Sequence, residues 1–223
     1  MLEQGIAGTL LLIFTGLTTY MGLTRPAYQD EYKFDVDRIL IGKEYRRLLT
    51  CGFLHGGWLH FGFNMVALLS FSLSLEWIFG IPQFLLVYFA SLLGGSLFAL
   101  YMHRNHGDYT AVGASGAVSG VVAASIVLFP HSEIGLILLP GGIAAWIVGL
   151  LFIVISIFGI KSQSDNIGHD AHLGGLVTGI LLTAILRPSA AVENWWVLAL
   201  LLAPVSLFSY LILRRPDILI TGK

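Results

Sequence analysis

The chain has 223 residues, 56% hydrophobic and 11% charged, with a formal net charge of −1. A soluble domain carries about 25% charged residues, so this chain cannot keep its surface hydrated, and its mean hydropathy of +0.83 makes the lipid bilayer its solvent. The absence of a basic stripe argues against nucleic acid as a partner, and a single cysteine, Cys51, excludes an internal disulfide framework.

Apolar stretches free of Asp, Glu, Lys and Arg predict seven membrane helices: Gly5–Leu23, Gly56–Leu75, Ile81–Met102, Ala111–Phe129, Gly141–Ile160, Ala171–Leu186 and Trp195–Leu213. Each matches the roughly 17–25 residues that a tilted helix needs, and in lipid only helices or closed barrels satisfy their backbone. The first stretch lacks a basic flank and a small-residue cleavage pattern and reads as a retained span. Pro26 ends it. The loop over 24–55 mixes acids and bases and reads as solvated, with Tyr45, Leu48, Leu49, Phe53 and Leu54 able to form interfacial turns. Ile134–Leu139, before Pro140-Gly141-Gly142, reads as an interfacial connection rather than another span.

The second, fourth and sixth spans cross in the same direction. His60, Ser115 and His172 each lie near the start of one of them, so parity puts all three on one side. A helix over Ser115–Phe129 would be about 22 Å long at 1.5 Å per residue, against a hydrocarbon core of about 30 Å. His172–Leu186 has the same length, so both helices would begin inside the membrane at matching depth.

Serine in a membrane helix is common and usually packs or bonds locally. Histidine there is costly and functional by default. Imidazole can take a proton from serine and so make it a nucleophile, and acyl transfer needs donors aimed at the developing oxyanion. His60 and Asn64 are four apart and share a helix face, and a Ser115 N–H at a helix N-terminus lacks an intrahelical partner. His172, Gly175 and Gly179 share a face of span six, while Gly116 and Gly120 form a Gly-x-x-x-Gly in span four; small residues let membrane helices approach closely. Asp170, two residues from His172, points elsewhere on a helix and reads as the N-cap of span six. A metal set of His55, His60, His169 and His172 lacks a carboxylate at helical spacing, and Asn64 is a poor zinc ligand. No metal or cofactor is expected. His103, His106 and His131 fall in predicted loops and carry no catalytic role.

Three motifs, His55-x4-His60-x3-Asn64, Gly113-Ala114-Ser115-Gly116 and Ala171-His172-Leu173-Gly174-Gly175-x3-Gly179, occur in the order and spans of the rhomboid intramembrane serine proteases, which the chain resembles over about residues 5–187. The resemblance implies an all-α polytopic membrane protein: a six-helix rhomboid core over 1–187, with a seventh transmembrane helix and short tail in 188–223. It implies a serine endopeptidase with Ser115 as nucleophile and His172 as base. His60, Asn64 and the Ser115 N–H would form the oxyanion hole, with Gly113, Gly116, His55, Gly175, Gly179, Glu44, Arg47 and Glu76 in support. Substrates would be single-pass transmembrane proteins, cut where their helix unwinds. Span five and the loop before it would form the gate. The protein would sit in a cell membrane, in contact with its lipid and with its catalytic face outside the cytoplasm. By parity, however, eleven of the twelve Lys and Arg lie on that face, against the positive-inside rule. The oligomeric state is left open. Two departures from the family pattern are Arg46-Arg47, where Trp-Arg is usual, and Ser119, where an aromatic usually packs on the catalytic histidine. The alternative reading is a catalytically silent rhomboid-like protein that binds client helices. A small transporter lacks support, because the chain shows no inverted repeat or paired intramembrane charges.

Overall fold

The structure, a computed structural model, describes residues 5–136, 139–162 and 168–214. In chain order these form α1 (Ile6–Thr24), α2 (Pro26–Tyr32), β1 (Phe34–Asp35), α3 (Val36–Leu40), α4 (Arg47–Thr50), a 3-10 turn (Cys51–Phe53), α5 (Trp58–Phe79), α6 (Ile81–His103), β2 (Thr110–Ala111) and α7 (Ser115–Leu128). Next come β3 (Glu133–Leu136), β4 (Leu139–Ala144), α8 (Ala145–Ser162), α9 (His169–Leu186), α10 (Pro188–Glu193) and α11 (Trp195–Arg214). Among the described residues α1, α5, α6, α9 and α11 are long and apolar enough to cross a membrane, and α7 and α8 are further apolar helices. The protein is therefore an all-α, multi-pass membrane protein with the expected C-terminal helix. Arg215 and Lys223, counted in the charge parity, lie outside the described residues.

Contacts between helix ends fix the directions. At one end His55 Nδ1 is 3.0 Å from Thr19 Oγ1, the Gly113 N–H donates to the Cys51 carbonyl at 3.0 Å, and His103 Nε2 meets Asp170 Oδ2 at 2.8 Å. This end holds the end of α1, the end of α6 and the starts of α5, α7 and α9. At the other end Glu76 accepts from the Gly5 and Gly8 N–H groups at 3.0 and 2.9 Å, Arg187 Nη1 donates to Gln83 Oε1 at 3.1 Å, and Asn194 Nδ2 donates to the Val127 carbonyl at 3.0 Å. His60, Ser115 and His172 thus belong to helices that start at the same end.

The central element is α7. Its 14 residues span about 21 Å, and from Gly116 to Val127 every residue but Val122 is buried. A helix apolar on all sides belongs inside a bundle, and α7 packs chiefly against α6, α9 and α5. Backbones touch at these contacts. A Cβ on Gly175 would overlap the Gly116 carbonyl oxygen, and one on Gly179 would overlap the Gly120 carbonyl. A Cβ on Gly174 would stand 2.7 Å from the Gly94 carbonyl oxygen and 2.9 Å from the Gly95 Cα. Seven glycines on three helices thus let α6, α7 and α9 close on one another. A second apolar cluster joins α7, α8 and α9 to a stripe on α11 (Val197, Leu201, Val205, Phe208, Ile212), so the seventh helix shares their core.

Three local expectations change. The loop over 24–55 is folded: β1 pairs antiparallel with β2 (Phe34 with Ala111, Asp35 with Thr110), and Leu48 and Leu54 are buried while Tyr45 and Leu49 stay exposed. The expected connection before the fifth span is carried by β3 and β4, with Glu133 opposite Ala144 and Ile134 opposite Ile143, so that helix starts at Ala145 rather than at Gly141. Helix α9 begins at His169, three residues before His172, and its N-cap is Gly168, so Asp170 is not the cap. Its buried carboxylate is drawn instead to His103 at the end of α6, a partner that linear spacing cannot show.

The seam sets a stability test. Gly175→Ala forces the α7 and α9 backbones apart and should cost about 1–3 kcal/mol, as overpacking does elsewhere. Gly62→Ala on α5, where a Cβ meets nothing within 4 Å, should leave thermal stability in detergent unchanged or slightly raised. Equal melting temperatures for the two variants would refute the seam as the tight point.

Candidate active site

The stretch leading into α7 is pinned three times. Thr110 and Ala111 pair with β1, the Gly113 N–H donates to the Cys51 carbonyl at 3.0 Å, and the Ala114 N–H donates to His55 Nε2 at 3.4 Å. Because an amide N–H can only donate, Nε2 of His55 accepts. Its proton is then assigned to Nδ1, which donates to Thr19 Oγ1 at 3.0 Å. His55 is 1% exposed, and burial pushes its pKa down, with neighbouring His60 adding to the effect. It is a neutral bracket between α1 and the start of α7. Thr19 carried no signal in the sequence, because threonines in apolar helices are ordinary.

Gly113 has φ +143°, a region L side chains rarely adopt. A Cβ there would lie 2.8 Å from His60 Cε1, 3.0 Å from His60 Nε2 and 3.7 Å from Ser115 Oγ. The missing side chain is what lets the His60 ring and the Ser115 hydroxyl approach the same point. Ser115 is the first residue of α7, whose N-cap Ala114 makes no side-chain capping bond, so the first N–H groups of this helix have no intrahelical acceptor. Asn64 is buried one turn below His60 and donates Nδ2 to the His60 carbonyl at 3.0 Å. One amide proton is spent on its own helix, leaving the other.

His172 lies in the first turns of α9, across the glycine seam from Ser115. A Cβ on Gly116, the residue after Ser115, would be 3.3 Å from the carbonyl oxygen of Ala171, the residue before His172. Ser119 is buried and donates to the Ser115 carbonyl at 2.7 Å. The aromatic partner of His172 comes from elsewhere: Phe152 of α8 stacks on it, with centroids 5.4 Å apart and planes at 27°. Sequence reading missed Phe152, one apolar residue among many in that helix. The first turn of α9 is also held from α6, where Asp170 meets His103 and Tyr109 stacks on His103 at 3.5 Å. Burial raises the Tyr109 pKa, and the Asp170 charge adds to it. Among the described residues no three His, Cys, Asp or Glu side chains form a group that could hold a metal ion.

The remaining polar residues singled out in the sequence lie away from Ser115. Arg47 is fully buried, donates Nε to Glu44 at 2.7 Å and Nη1 to the carbonyls of Asp30 and Lys33 at 2.8 Å each, and so closes the loop over 24–55. The Arg47 hydrogen bond holds the Glu44 carboxyl below its usual range. Arg46, by contrast, is exposed and lies over the Tyr32 ring at 5.6 Å. Glu76 caps the start of α1 at the opposite end of the bundle.

A buried helix opened by a serine, with histidines of two other helices brought to the same end, defines a polytopic membrane protein with a candidate hydrolytic centre. The rhomboid domain model matches residues 42–189, and the chain belongs to the rhomboid family. It is 32% identical over 157 residues to mitochondrial rhomboid protein 1 of Saccharomyces cerevisiae, covering 67% of this chain and 45% of that protein. It is 31% identical over 143 residues to the rhomboid protease GluP of Bacillus subtilis (64% of this chain, 26% of GluP), and 37% identical over 142 residues to the putative rhomboid protease YdcA of the same organism (63% and 66%). The chain thus spans less than half the length of the yeast relative.

Arg47→Lys keeps the charge but loses the planar fork that reaches three acceptors. It should cost about 2–4 kcal/mol, in line with losing charge-assisted bonds to buried groups, and should speed limited trypsin cleavage at Lys33 and Arg38. Unchanged melting temperature and cleavage rate would show that the arginine does not close this loop.

Proposed function

We propose that the protein is an intramembrane serine endopeptidase that cuts single-pass transmembrane proteins within or next to the bilayer, using Ser115 and His172. The observation that carries the reading is the convergence at the start of buried α7: Ser115 Oγ and the His60 ring meet across side-chain-free Gly113, and the first turns of α9 lie against Gly116. In this reading Ser115 Oγ attacks the scissile carbonyl as its proton passes to His172. The oxyanion forms where the Ser115 N–H, the His60 ring and the second Asn64 amide proton can donate. As the tetrahedral intermediate collapses, His172 returns the proton to the leaving amine. Water, deprotonated by His172, then hydrolyses the acyl-enzyme. A substrate helix has to unwind first, because an intact helix hides its carbonyls from a nucleophile. A Cβ on Gly56 or Gly57, in the stretch before His60, would meet nothing within 4 Å, which leaves room for water there. Helix α8 and the hairpin before it are the substrate gate. The division into a rhomboid unit over 1–187 and an added helix over 188–223 belongs to the same reading, as does residence in a cell membrane, with lipid as the surroundings. The mitochondrial name of the yeast relative makes cell fractionation the check on the compartment.

The test is purified protein in proteoliposomes with a panel of single-pass helices, beside Ser115→Ala and His172→Ala. Wild type should cut at least one helix and take up a fluorophosphonate at Ser115, and each variant should lose on the order of 10³-fold or more in kcat. His60→Ala should lose about 10²–10³-fold, as removal of one oxyanion donor does. If wild type neither cuts nor is labelled, the client-binding alternative replaces the protease. Orientation is read by placing cysteines at Lys33 and Lys161 in intact cells. Both should react with an impermeant reagent, and protection of both would invert the protein.

A further inference from the structure

We propose that Phe152 of α8 is a positioning residue for His172, so that the helix assigned to the substrate gate also braces the base. The inference rests on the protease reading of Ser115 and His172.

Helix α8 meets the start of α9 at two levels. Phe152, Ser156 and Gly159 recur at i, i+4 and i+7, which puts them on one stripe of the helix. At one level His169 packs on Gly159, where any Cβ would overlap its ring. Ser156, 1% exposed, lies between the two levels. At the other level the Phe152 ring stacks on the His172 imidazole, 5.4 Å between centroids and 27° between planes. The His169 ring meets His172 from its edge, at 5.7 Å and 78°. The imidazole plane is therefore set by one ring against its face and one against its edge.

A flat partner constrains what an aliphatic one of similar size does not. It limits rotation about the last side-chain torsion, which is broad for histidine when nothing restrains it. It also presents an electron-rich face to the imidazolium that forms while His172 holds the Ser115 proton. The position four residues into α7, where an aromatic could have stacked from the other side, holds Ser119, whose hydroxyl is bonded to the Ser115 carbonyl. Among the described residues the phenyl ring that stacks on His172 is that of Phe152. Displacing α8 to admit a substrate would therefore lift the Phe152 face from the imidazole, and its return would restore that stacking for proton transfer.

Phe152→Leu keeps apolar bulk and removes the flat face, while Phe152→Tyr keeps the ring. In proteoliposomes Phe152→Leu should lose on the order of 10- to 100-fold in kcat, the scale of a small misplacement of a catalytic group, with KM held within about 2-fold. Its fluorophosphonate labelling rate should fall by the same factor, because that reagent reports Ser115 reactivity without a helix having to enter. Phe152→Tyr should restore most of both. Phe152→Met, also lacking a face, repeats the measurement should the leucine variant not fold. A leucine or methionine variant with wild-type kcat and labelling overturns the inference alone, as does a higher KM with unchanged labelling, which would leave Phe152 a role in access only. A wild-type protein that neither cuts nor labels removes the protease reading, and this inference with it.

Discussion

The structure depends on the contact of three backbones. Helices α6, α7 and α9 meet through Gly94, Gly95, Gly116, Gly120, Gly174, Gly175 and Gly179, at points where a single methyl group would crowd or overlap a carbonyl, a Cα or a side chain. Lipid supplies little hydrophobic force between helices, so association relies on close packing, and glycine gives the closest. The same contact sets the geometry at the helix starts. Ser115 and Ala171 flank the point where Gly116 touches α9, so a looser seam would separate the serine from the turn that carries His172.

The seam alone does not aim the serine. The stretch before Ser115 is strung from β1, from the Cys51 carbonyl and from His55, and His55 is held in turn by Thr19 of the first helix. The hydroxyl position is thus referred to α1 and to the folded loop as well as to its own helix. Gly113 completes the arrangement with a positive φ and an open space that His60 fills. Neutral, fully bonded His55 and the buried Asp170–His103 contact show polar groups used as brackets in a low-dielectric setting, where an unsatisfied group is costly.

Charge is placed where helix ends need it. Glu76 takes the first N–H groups of α1, which have no intrahelical acceptor. Arg47 takes the last carbonyls of α2 and the following turn. Each is a distant residue satisfying another element's backbone, so neither role follows from its own neighbours in the chain. Their value lies in satisfied groups rather than in net charge, since exposed pairs such as that of Lys33 with Asp30 contribute little.

The solvent, the approximate spans and the side on which the polar residues gather were legible before any fold was known. Those follow from composition, from the length of apolar runs and from parity, which need no long-range contact. The glycine spacing that closes the bundle was also legible, because a Gly-x-x-x-Gly face is a local pattern. Tertiary structure decided what depends on residues far apart in the chain. It moved the start of α9 back to His169, turned Asp170 from a cap into a partner of His103, folded the loop over 24–55 around Arg47, and put Phe152 rather than a residue of α7 against His172. An apolar helix shows no preferred face in its sequence when lipid and protein are equally apolar, so which of its side chains meets an imidazole is settled only when the helices dock.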